Sequence, residues 1–412
     1  MHVFEELKRR DSMYAVTDDA LADALEKNEM TFYLGIDPTG ESMHVGHLAV
    51  YMLARRLQAA GHRPILLVGG GTGLIGDPSG KSEERTLLDL EETLAYGERI
   101  ATQIRRLVPQ AQIVNNYDWL KTYDILTFLR DIGKHFGINA MLAKDSVRSR
   151  LETGISFTEF SYQIVQALDF LHLYKTHDCT LQIGAQDQWG NITAGLDLIR
   201  KVCGPASKAY AMVIPLLTRP DGTKFGKTAG EAVWLDAEKT SPYAFYQFWI
   251  NQADADIVSL MKRFSEMPLS DIETLAAKAE EAPHLRIAQK TLAEEMTALV
   301  HGQKALEQAK NITEALFENA LERLSEAELE MGFAGVKSAT LSDSMSLVDA
   351  LVELGLAPSK REARTLIANR AITVNGERET DDTCILDARH ALYGRFTVVR
   401  RGKKEYGVLK RR

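Results

Sequence analysis

Short apolar runs alternate with amphipathic segments through the first half of the chain. TFYLGI (31–36), RPILLVGGG (63–71) and CTLQIGA (179–185) have the β-prone composition of buried parallel strands, and DPTGES breaks the first of them. The segments HLAVYMLARRLQAAG (47–61) and ITAGLDLIRKVCG (192–204) carry apolar residues at helical spacing. This alternation predicts an α/β fold with a parallel sheet, in which ligands bind at the carboxyl ends of the strands.

The second half of the chain has a different pattern. From about residue 241 to 324 the apolar positions follow helical spacing among many charged residues, as in DADIVSLMKRFSEM. The stretch KSATLSDSMS (337–346) has the Ser-rich composition of a linker, and a small module of mixed helix and strand patterns follows it. The pattern therefore predicts domains at 1–240, 241–335 and 345–412, with a linker at 336–344.

Composition places the chain among ordinary globular proteins. The 412 residues are 45% hydrophobic and 26% charged, and no apolar run reaches the roughly 18 residues of a membrane span. The opening segment lacks the apolar stretch of a signal peptide, so we expect a cytoplasmic protein. Cys179, Cys203 and Cys384 are far apart and form no CxxC pair, which argues against disulfides and zinc.

Charge is unevenly distributed along the chain. The formal net charge is −8, but residues 345–412 contain 14 Lys and Arg against 9 Asp and Glu, a net of +5, which leaves −13 on the remainder. An acidic body with a basic tail predicts a local contact with a polyanion.

Two glycine-rich strings resemble nucleotide-binding motifs. GTGLIG (71–76) fits the GxGxxG fingerprint, but that motif needs a helix at the glycines, whereas DPSG follows and keeps the segment a loop. GDPSGKS (76–82) is one residue shorter than a Walker A loop. Neither string supports a nicotinamide or Walker site, although Lys81 and Arg85 remain candidate anion ligands.

HVGH (44–47) places two histidines at the start of a predicted helix, where three interpretations compete. A zinc site is disfavoured because no third ligand is evident and helical histidine pairs usually stand four residues apart, so we predict no metal site. Separate packing of one histidine in the core is a second interpretation. Phosphate binding is the third, because the helix N-terminus presents N–H groups, Gly46 leaves room, and His44 and His47 can donate.

Two further motifs bear on this choice. KFGKT (224–228) places two lysines on a glycine-bearing loop that could close on a triphosphate, although such a string alone is usually a solvated turn. Tyr162, Gln166 and Asp169 stand at i, i+4 and i+7, so a helix aligns them as a polar stripe among apolar residues. Such a stripe indicates a ligand, with a buried structural network as the alternative.

The two signatures occur together with longer strings, YLGIDPTGESMHVGHL, LVGGGTGLIGDPSGKSEERT, EFSYQIVQALDF and LQIGAQDQWGNITAG. With them the whole chain resembles the class I aminoacyl-tRNA synthetases, and within that class the bacterial tyrosyl type. The resemblance implies a Rossmann-like catalytic domain with a helical insertion, then a helical anticodon-side domain, then a small α+β RNA-binding module. It also implies activation of tyrosine with ATP, accompanied by Mg²⁺, transfer of tyrosine to its tRNA, and a homodimer.

The resemblance also implies roles for particular residues. Those expected to act on the phosphates are Thr39, His44, His47, Lys81, Arg85, Lys224 and Lys227. Those expected to bind ATP are Gly35, Asp37, Gly46, Gly184, Asp187 and Lys227. Those expected to bind tyrosine are Tyr33 and Asp169 at the phenol hydroxyl, Asp77, Tyr162 and Gln166 at the ammonium, and Gln188 near the carboxylate.

The basic tail contains one amphipathic helix pattern. SKREARTLIANR (359–370) predicts a capped helix with Lys360, Arg361 and Arg364 on one side, similar to an RNA-binding module of a ribosomal small-subunit protein. The alternative is a solvated basic face.

Three other functions remain open for the whole chain: a tryptophanyl-type synthetase, an HxGH nucleotidyltransferase and a non-catalytic RNA-binding relative. The pair Tyr33 and Asp169, the basic tail and the two intact signatures favour the tyrosyl enzyme.

Overall fold

The computed structural model describes residues 2–81, 86–152, 154–218, 225–228, 231–402 and 405–411, with the main chain alone at 227 and 228. The chain divides into two compact units. Unit 1 comprises residues 1–239 and 249–300, and unit 2 comprises residues 240–248 and 301–412. Within the described ranges, no helix is both long and apolar enough to cross a membrane.

Helices fill much of the sequence between the strands. The α-helices of the described residues are α1 (Val3–Arg9), α2 (Ala20–Lys27), α3 (Val45–Ala59), α4 (Leu90–Leu107), α5 (Tyr117–Leu120), α6 (Ile125–Thr127), α7 (Ile138–Leu142), α8 (Asp145–Arg148), α9 (Phe157–His177), α10 (Trp189–Cys203), α11 (Pro242–Ile250), α12 (Asp254–Phe264), α13 (Leu269–Glu281), α14 (Ile287–His301), α15 (Gln303–Glu318), α16 (Glu326–Gly332), α17 (Leu347–Glu353) and α18 (Lys360–Ala368). Short 3₁₀ or π turns lie at Thr72–Leu74, Phe128–Ile132, Gly133–His135, Gln186–Gln188, Pro283–Leu285, Leu321–Arg323 and Ala388–His390.

Local capping chemistry sets the ends of the helices that matter for the site. Ser156 begins α9 by accepting a hydrogen bond from the main-chain N–H of Glu159 at 3.2 Å. The same helix ends at Asp178, which adopts the left-handed conformation with φ 51°. These ends fix a 21-residue helix that carries all three members of the predicted polar stripe.

A parallel sheet forms the centre of unit 1. Its strands are β1 (Ala15–Val16), β2 (Thr31–Ile36), β3 (Arg63–Val68), β4 (Gln112–Asn115), β5 (Cys179–Ala185) and β6 (Tyr210–Ile214), and a separate hairpin joins β7 (Lys227–Thr228) to β8 (Glu231–Ala232). In the described residues the sheet order is β1-β6-β5-β2-β3-β4, with β1 antiparallel at one edge. The apolar runs at 31–36 and 179–185, and residues 63–68 of the third, are strands as predicted, which confirms the α/β fold class.

The order of these strands locates the binding crevice. The chain proceeds from β2 to β3 and β4 on one side, and places β5 and β6 on the other, so the strand order reverses between β2 and β5. In open parallel sheets ligands bind at such a reversal, beyond the carboxyl ends of the strands. One face of the sheet packs on α9 and α10, where Tyr33 and Leu67 share a buried cluster with Phe170 and Ala194.

Unit 2 contains a second, mostly antiparallel sheet. Its strands are β9 (Lys337–Leu341), β11 (Ile372–Val374), β12 (Glu377–Arg378), β14 (Phe396–Arg401) and β15 (Glu405–Arg411), and β10 (Met345–Ser346) pairs separately with β13 (Ile385–Leu386). The described strands have the order β12-β11-β14-β15-β9, and β9 runs parallel to β15. The last part of the chain is therefore the α+β module that the sequence predicts.

Alternate residues of the central strands belong to two different cores. Val398 and Val408 pack with apolar residues of α15 and α16, whereas Val399 and Leu409 pack with those of α17 and α18. Within the segment 336–344, predicted to be a linker, Lys337–Leu341 instead form β9 and pair with β15, whereas residues 342–344 lie outside any helix or strand. The small polar residues of β9 are those of an exposed edge strand, which composition alone does not distinguish from a linker.

Candidate functional site

The HVGH segment forms the N-terminus of α3. The Nδ1 atom of His44 accepts a hydrogen bond from the main-chain N–H of Gly46 at 3.0 Å, and the Nδ1 atom of His47 accepts one from the main-chain N–H of His44 at 3.2 Å. The two rings stack with centroids 3.9 Å apart. Because Nδ1 is the acceptor in each ring, the proton of a neutral imidazole lies on Nε2, which makes Nε2 the donor toward any bound anion.

The main chain of the second signature lies against the first. The main-chain N–H of Val233 donates to the carbonyl of Gly226 at 2.8 Å, and the main-chain N–H of Val45 donates to the carbonyl of Val233 at 2.9 Å. Gly226 has φ +89°, and a Cβ there would stand 3.1 Å from the nitrogen of Gly46. The positive φ favours glycine at 226, and at Gly46 a Cβ would lie 2.8 Å from Cε1 of His44. HVGH and FG of KFGKT, about 180 residues apart in sequence, thus meet in unit 1.

The other residues expected at the phosphates and at ATP are described only in part, and those described come near or after the carboxyl ends of strands. Thr39 is exposed just after β2, and Lys81 is exposed after the glycine-rich loop. Asp187 lies in the turn that follows β5, Gly184 is buried in β5, and Gly35 is exposed near the end of β2. Arg85 and Lys224, and the side chain of Lys227, lie outside the described residues.

A hydrogen-bonded group of side chains fills the crevice between β2 and α9. The carboxylate of Asp37 accepts from the hydroxyl of Thr72 at 2.6 Å and from the phenol of Tyr162 at 2.7 Å. Burial raises the pKa of Tyr162 well above its usual value, and the charges of Asp37 and Asp77 raise it further. Several carboxylates therefore surround one buried phenol, an arrangement that favours a cation in the crevice.

Asp169 lies at the bottom of this crevice with its carboxylate held by two donors. The amide of Asn116 donates to Oδ2 at 2.8 Å, and the indole of Trp119 donates to Oδ1 at 2.8 Å. Burial raises the pKa of Asp169 to about 7, although both hydrogen bonds act in the opposite direction. The carboxylate is thus poised between its charged and neutral forms near neutral pH.

Tyr33 contributes a second phenol hydroxyl, in addition to that of Tyr162, to the crevice that contains Asp169. Its side chain is 1% exposed, and its hydroxyl has no hydrogen-bond partner within the described residues. Burial raises the pKa of Tyr33, and the nearby charge of Asp169 adds to that rise. The carbonyl oxygen of Gln166, on the same helix as Asp169, is also buried and unpaired in the described part of the chain. Unpaired buried polar groups are costly, so this pair points to a polar ligand.

Asp77 lies in a separate buried network close to the start of α10. Its carboxylate accepts from the amide of Gln188 at 2.6 Å, from the amide of Asn191 at 3.2 Å and from the main-chain N–H of Ser79 at 2.9 Å. Asp77 and Gln188, both expected at an amino acid ligand, are therefore in direct contact.

The glycine-rich string after β3 has a packing role. A Cβ at Gly69 would lie 2.1 Å from Oδ1 of Asp37, and one at Gly70 would lie 2.4 Å from Oδ1 of Asn115. Thr72–Leu74 form a single 3₁₀ turn, and the next helix in the described residues begins at Leu90. The prediction that GTGLIG stays a loop is confirmed.

The basic helix of unit 2 also has the predicted form. Ser359 caps α18 by accepting from the main-chain N–H of Glu362 at 3.2 Å. Lys360 pairs with Asp349 at 2.7 Å, and Arg364 pairs with Asp382 at 3.6 Å. Acidic neighbours therefore already hold two of the three predicted RNA-binding cations, and Arg361 has no ion-pair partner among the described residues.

Comparison with known sequences agrees with this site. Residues 25–318 match the family profile described as tRNA synthetases class I (W and Y). The chain belongs to this family. Residues 328–409 of this class I synthetase also match the profile of the tyrosine–tRNA ligase SYY-like C-terminal domain.

Individual relatives of the synthetase span its full length. A protein from Geobacillus stearothermophilus named tyrosine–tRNA ligase is 54% identical over 418 residues, covering 100% of both chains. One of the same name from Listeria welshimeri is 53% identical over 413 residues, covering 98% of this chain and 99% of the relative. A C-terminally truncated mitochondrial tyrosyl-tRNA synthetase from Aspergillus nidulans is structurally similar, with a TM-score of 0.70, 28% identity, and coverage of 77% of this chain and 94% of that one.

The sequence did not indicate several site residues of this synthetase. Thr72, Asn116 and Trp119 hold the carboxylates of Asp37 and Asp169. Thr72 lies in the string GTGLIG but received no role, and Asn116 and Trp119 belong to none of the quoted strings. Asn116 directly follows β4, and polar residues at the carboxyl end of a parallel strand are the signal that could have revealed it.

Proposed function

We propose that the chain activates L-tyrosine with ATP and transfers the tyrosine to its tRNA, in the cytoplasm. The observation that carries this proposal is the unpaired hydroxyl of Tyr33 beside the buried carboxylate of Asp169. A phenol hydroxyl entering the crevice can accept from Tyr33 and donate to Asp169 at once, which an indole N–H cannot do. Full-length relatives named tyrosine–tRNA ligase support the same substrate.

Activation requires alignment more than acid–base catalysis. The carboxylate of tyrosine is already ionised and attacks the α-phosphorus of ATP. The bond from that phosphorus to pyrophosphate breaks, and tyrosyl adenylate forms. Nε2 of His44 and Nε2 of His47 donate to the phosphates as negative charge builds on them, together with Thr39 and the lysines of KFGKT. Mg²⁺ accompanies ATP, bound mainly by its phosphates.

The charge distribution of the crevice orients the amino acid. The charges of Asp37, Asp77 and Asp169 all raise the pKa of Tyr162, so negative charge is concentrated around that phenol. The ammonium of tyrosine balances this negative charge, while the phenol end reaches Asp169. In the second step a hydroxyl of the terminal tRNA ribose attacks the carbonyl carbon of the adenylate, and AMP leaves.

ATP–pyrophosphate exchange with each of the twenty amino acids in turn tests the assignment. Exchange that depends on tyrosine supports the proposal. Exchange that depends on tryptophan identifies the tryptophanyl-type alternative, and absence of exchange with every amino acid favours a nucleotidyltransferase or a non-catalytic relative.

The affinity for tyrosine is expected to rise with pH through about 7, because that is the pKa of Asp169 and the ionised carboxylate is the better acceptor for the phenol. Asn116→Ala removes a hydrogen bond that lowers this pKa, so the midpoint moves to higher pH. Equilibrium dialysis of tyrosine between pH 6 and pH 8.5 measures both effects. A midpoint that is unchanged in Asn116→Ala contradicts the prediction.

The basic face of α18 is expected to bind tRNA phosphates. Combined replacement of Lys360, Arg361 and Arg364 by alanine weakens tRNA binding and lowers the slope of log affinity against log salt by at most about 2–3, since each phosphate contact contributes about 0.7–0.9. Arg361 contributes most, because the other two also pair with aspartates. Pyrophosphate exchange stays unchanged.

Filter binding at several salt concentrations measures this slope, with Arg106→Ala, an exposed arginine of unit 1, as the control. Point substitutions are preferable to truncation near residue 342, which would remove β14 and β15 from the core they share with α15 and α16. An unchanged slope in the triple variant shows that α18 does not contact the tRNA.

A set of exposed apolar side chains between residues 125 and 157 supports a homodimer. It contains Ile125, Leu126, Leu129, Ile138, Leu151 and Phe157, of which Leu126 and Phe157 are 75% and 77% exposed. We expect the double substitution Leu126→Glu with Phe157→Glu to halve the mass measured by light scattering, from that of two chains to the 45.9 kDa of a single chain. Phe317→Glu, at an 88% exposed phenylalanine outside this set, leaves the mass unchanged. A wild-type mass of one chain excludes the dimer.

A further inference from the structure

His172 lies next to the crevice without belonging to any motif. It stands three residues after Asp169 on α9, so both side chains project from the same side of the helix. Its ring stacks on the indole of Trp119 with centroids 4.3 Å apart and an angle of 12° between the planes. Such nearly parallel contact covers one face of the indole.

Two residues of one helix therefore hold the indole from two directions. Asp169 accepts the hydrogen bond from Nε1 of Trp119 at 2.8 Å, and His172 covers the ring face. Trp119 itself lies on α5, which is four residues long and has no side-chain cap, so the local backbone gives it little support. The stack restricts rotation of the indole about its side-chain bonds and keeps Nε1 directed at Asp169.

We propose that His172 is a positioning residue for amino acid recognition, acting through Trp119 on the carboxylate of Asp169. This inference rests on the proposed function, because it assumes that Asp169 receives the phenol of tyrosine. Burial lowers the pKa of His172, and the neighbouring His177 lowers it further, so a neutral ring faces the indole near neutral pH. The flat ring, rather than a charge, is the feature that acts.

Substitution of His172 tests whether the flat ring matters. A stacked aromatic pair is worth enough to change binding by roughly twofold to tenfold. We expect His172→Ala to raise the KM for tyrosine by that factor and to lower the preference for tyrosine over phenylalanine. The KM for ATP and the kcat of pyrophosphate exchange stay within twofold of the wild type. His172→Phe restores both tyrosine parameters, because phenylalanine keeps a flat ring at that position.

Two further variants separate this role from general destabilisation. His177→Ala is the matched control, since that ring lies 6.4 Å from His172 and bonds to Thr176. In a Trp119→Leu background, His172→Ala is expected to have no additional effect, because its influence passes through the indole.

The outcomes distinguish the inference from the proposed function. Tyrosine-dependent exchange that is unaltered in His172→Ala overturns the inference and leaves the function standing. Parallel increases in both KM values, failure of phenylalanine to restore binding, or an additive loss in the Trp119→Leu background also overturn it. Exchange that does not depend on tyrosine overturns the proposed function itself.

Discussion

Pyrophosphate exchange is expected to be about 10⁵-fold more efficient with tyrosine than with phenylalanine, a value known for this type of synthetase rather than calculated from the structure. The physical reason lies at the end of the crevice. Without a phenol, the hydroxyl of Tyr33 stays unpaired and the carboxylate of Asp169 stays buried with only its two protein donors. Phenylalanine therefore binds at the cost of buried polar groups that it cannot satisfy.

Substitution of either residue is expected to remove part of this preference. Tyr33→Phe removes a hydrogen bond between neutral groups, so we expect a loss of about twofold to tenfold in the ratio. Asp169→Ala removes a bond to a charged group, for which about 10–100-fold is expected. The measurement is kcat/KM with each amino acid. Tyr51→Phe is the control, because the hydroxyl of Tyr51 is also buried and unpaired within the described residues but belongs to α3. If the wild-type enzyme prefers tyrosine over phenylalanine by only about tenfold, these two residues have another role.

His44→Ala is expected to slow adenylate formation by about 10²–10³-fold, the usual loss when one donor to a developing charge is removed. The affinity for tyrosine changes by less than about twofold, because the additional phosphate charge that His44 stabilises develops mainly in the transition state. Lys227→Ala is expected to behave in the same way. Its main chain lies in the hairpin that follows Gly226, beside the start of α3.

Stopped-flow measurement of adenylate formation at several tyrosine concentrations separates the rate from the affinity. His135→Ala, at a histidine in a 3₁₀ turn outside both signatures, is the control for loss of an imidazole. If tyrosine affinity falls by the factor expected for the rate while the rate of adenylate formation is unchanged, His44 supports the fold of the site rather than the transition state.

Sequence patterns predicted unit 1 well because its strands are buried. The runs at 31–36 and 63–68 are apolar at nearly every position, and a single interpretation fits such a run between turn residues. The signature strings were equally informative, since HVGH begins a helix directly after a strand and turn. The polar stripe on α9 was also visible, because helical spacing places Tyr162 and Asp169 on one face.

Contacts between segments that are distant in the chain could not be predicted from sequence patterns. Asn116 and Trp119 reach Asp169 only because β4 adjoins β3 in the sheet and α5 follows it, and no local pattern records that adjacency. The error at 336–344 has a related cause. A strand at the edge of a sheet is paired on one side only, so β9 can be built from small polar residues and depends on a partner far along the chain.

That pairing has a consequence for how the protein is made. Lys337 of β9 pairs with Gly407 of β15, so the ribosome must add seventy more residues before this strand can close. During that interval Val398 of β14 and Val408 of β15 have not been synthesised, so they do not yet cover the apolar faces of α15 and α16. The nascent chain therefore presents an uncovered hydrophobic surface late in synthesis. Chaperones that bind such surfaces are therefore expected to act on unit 2 at this stage of synthesis.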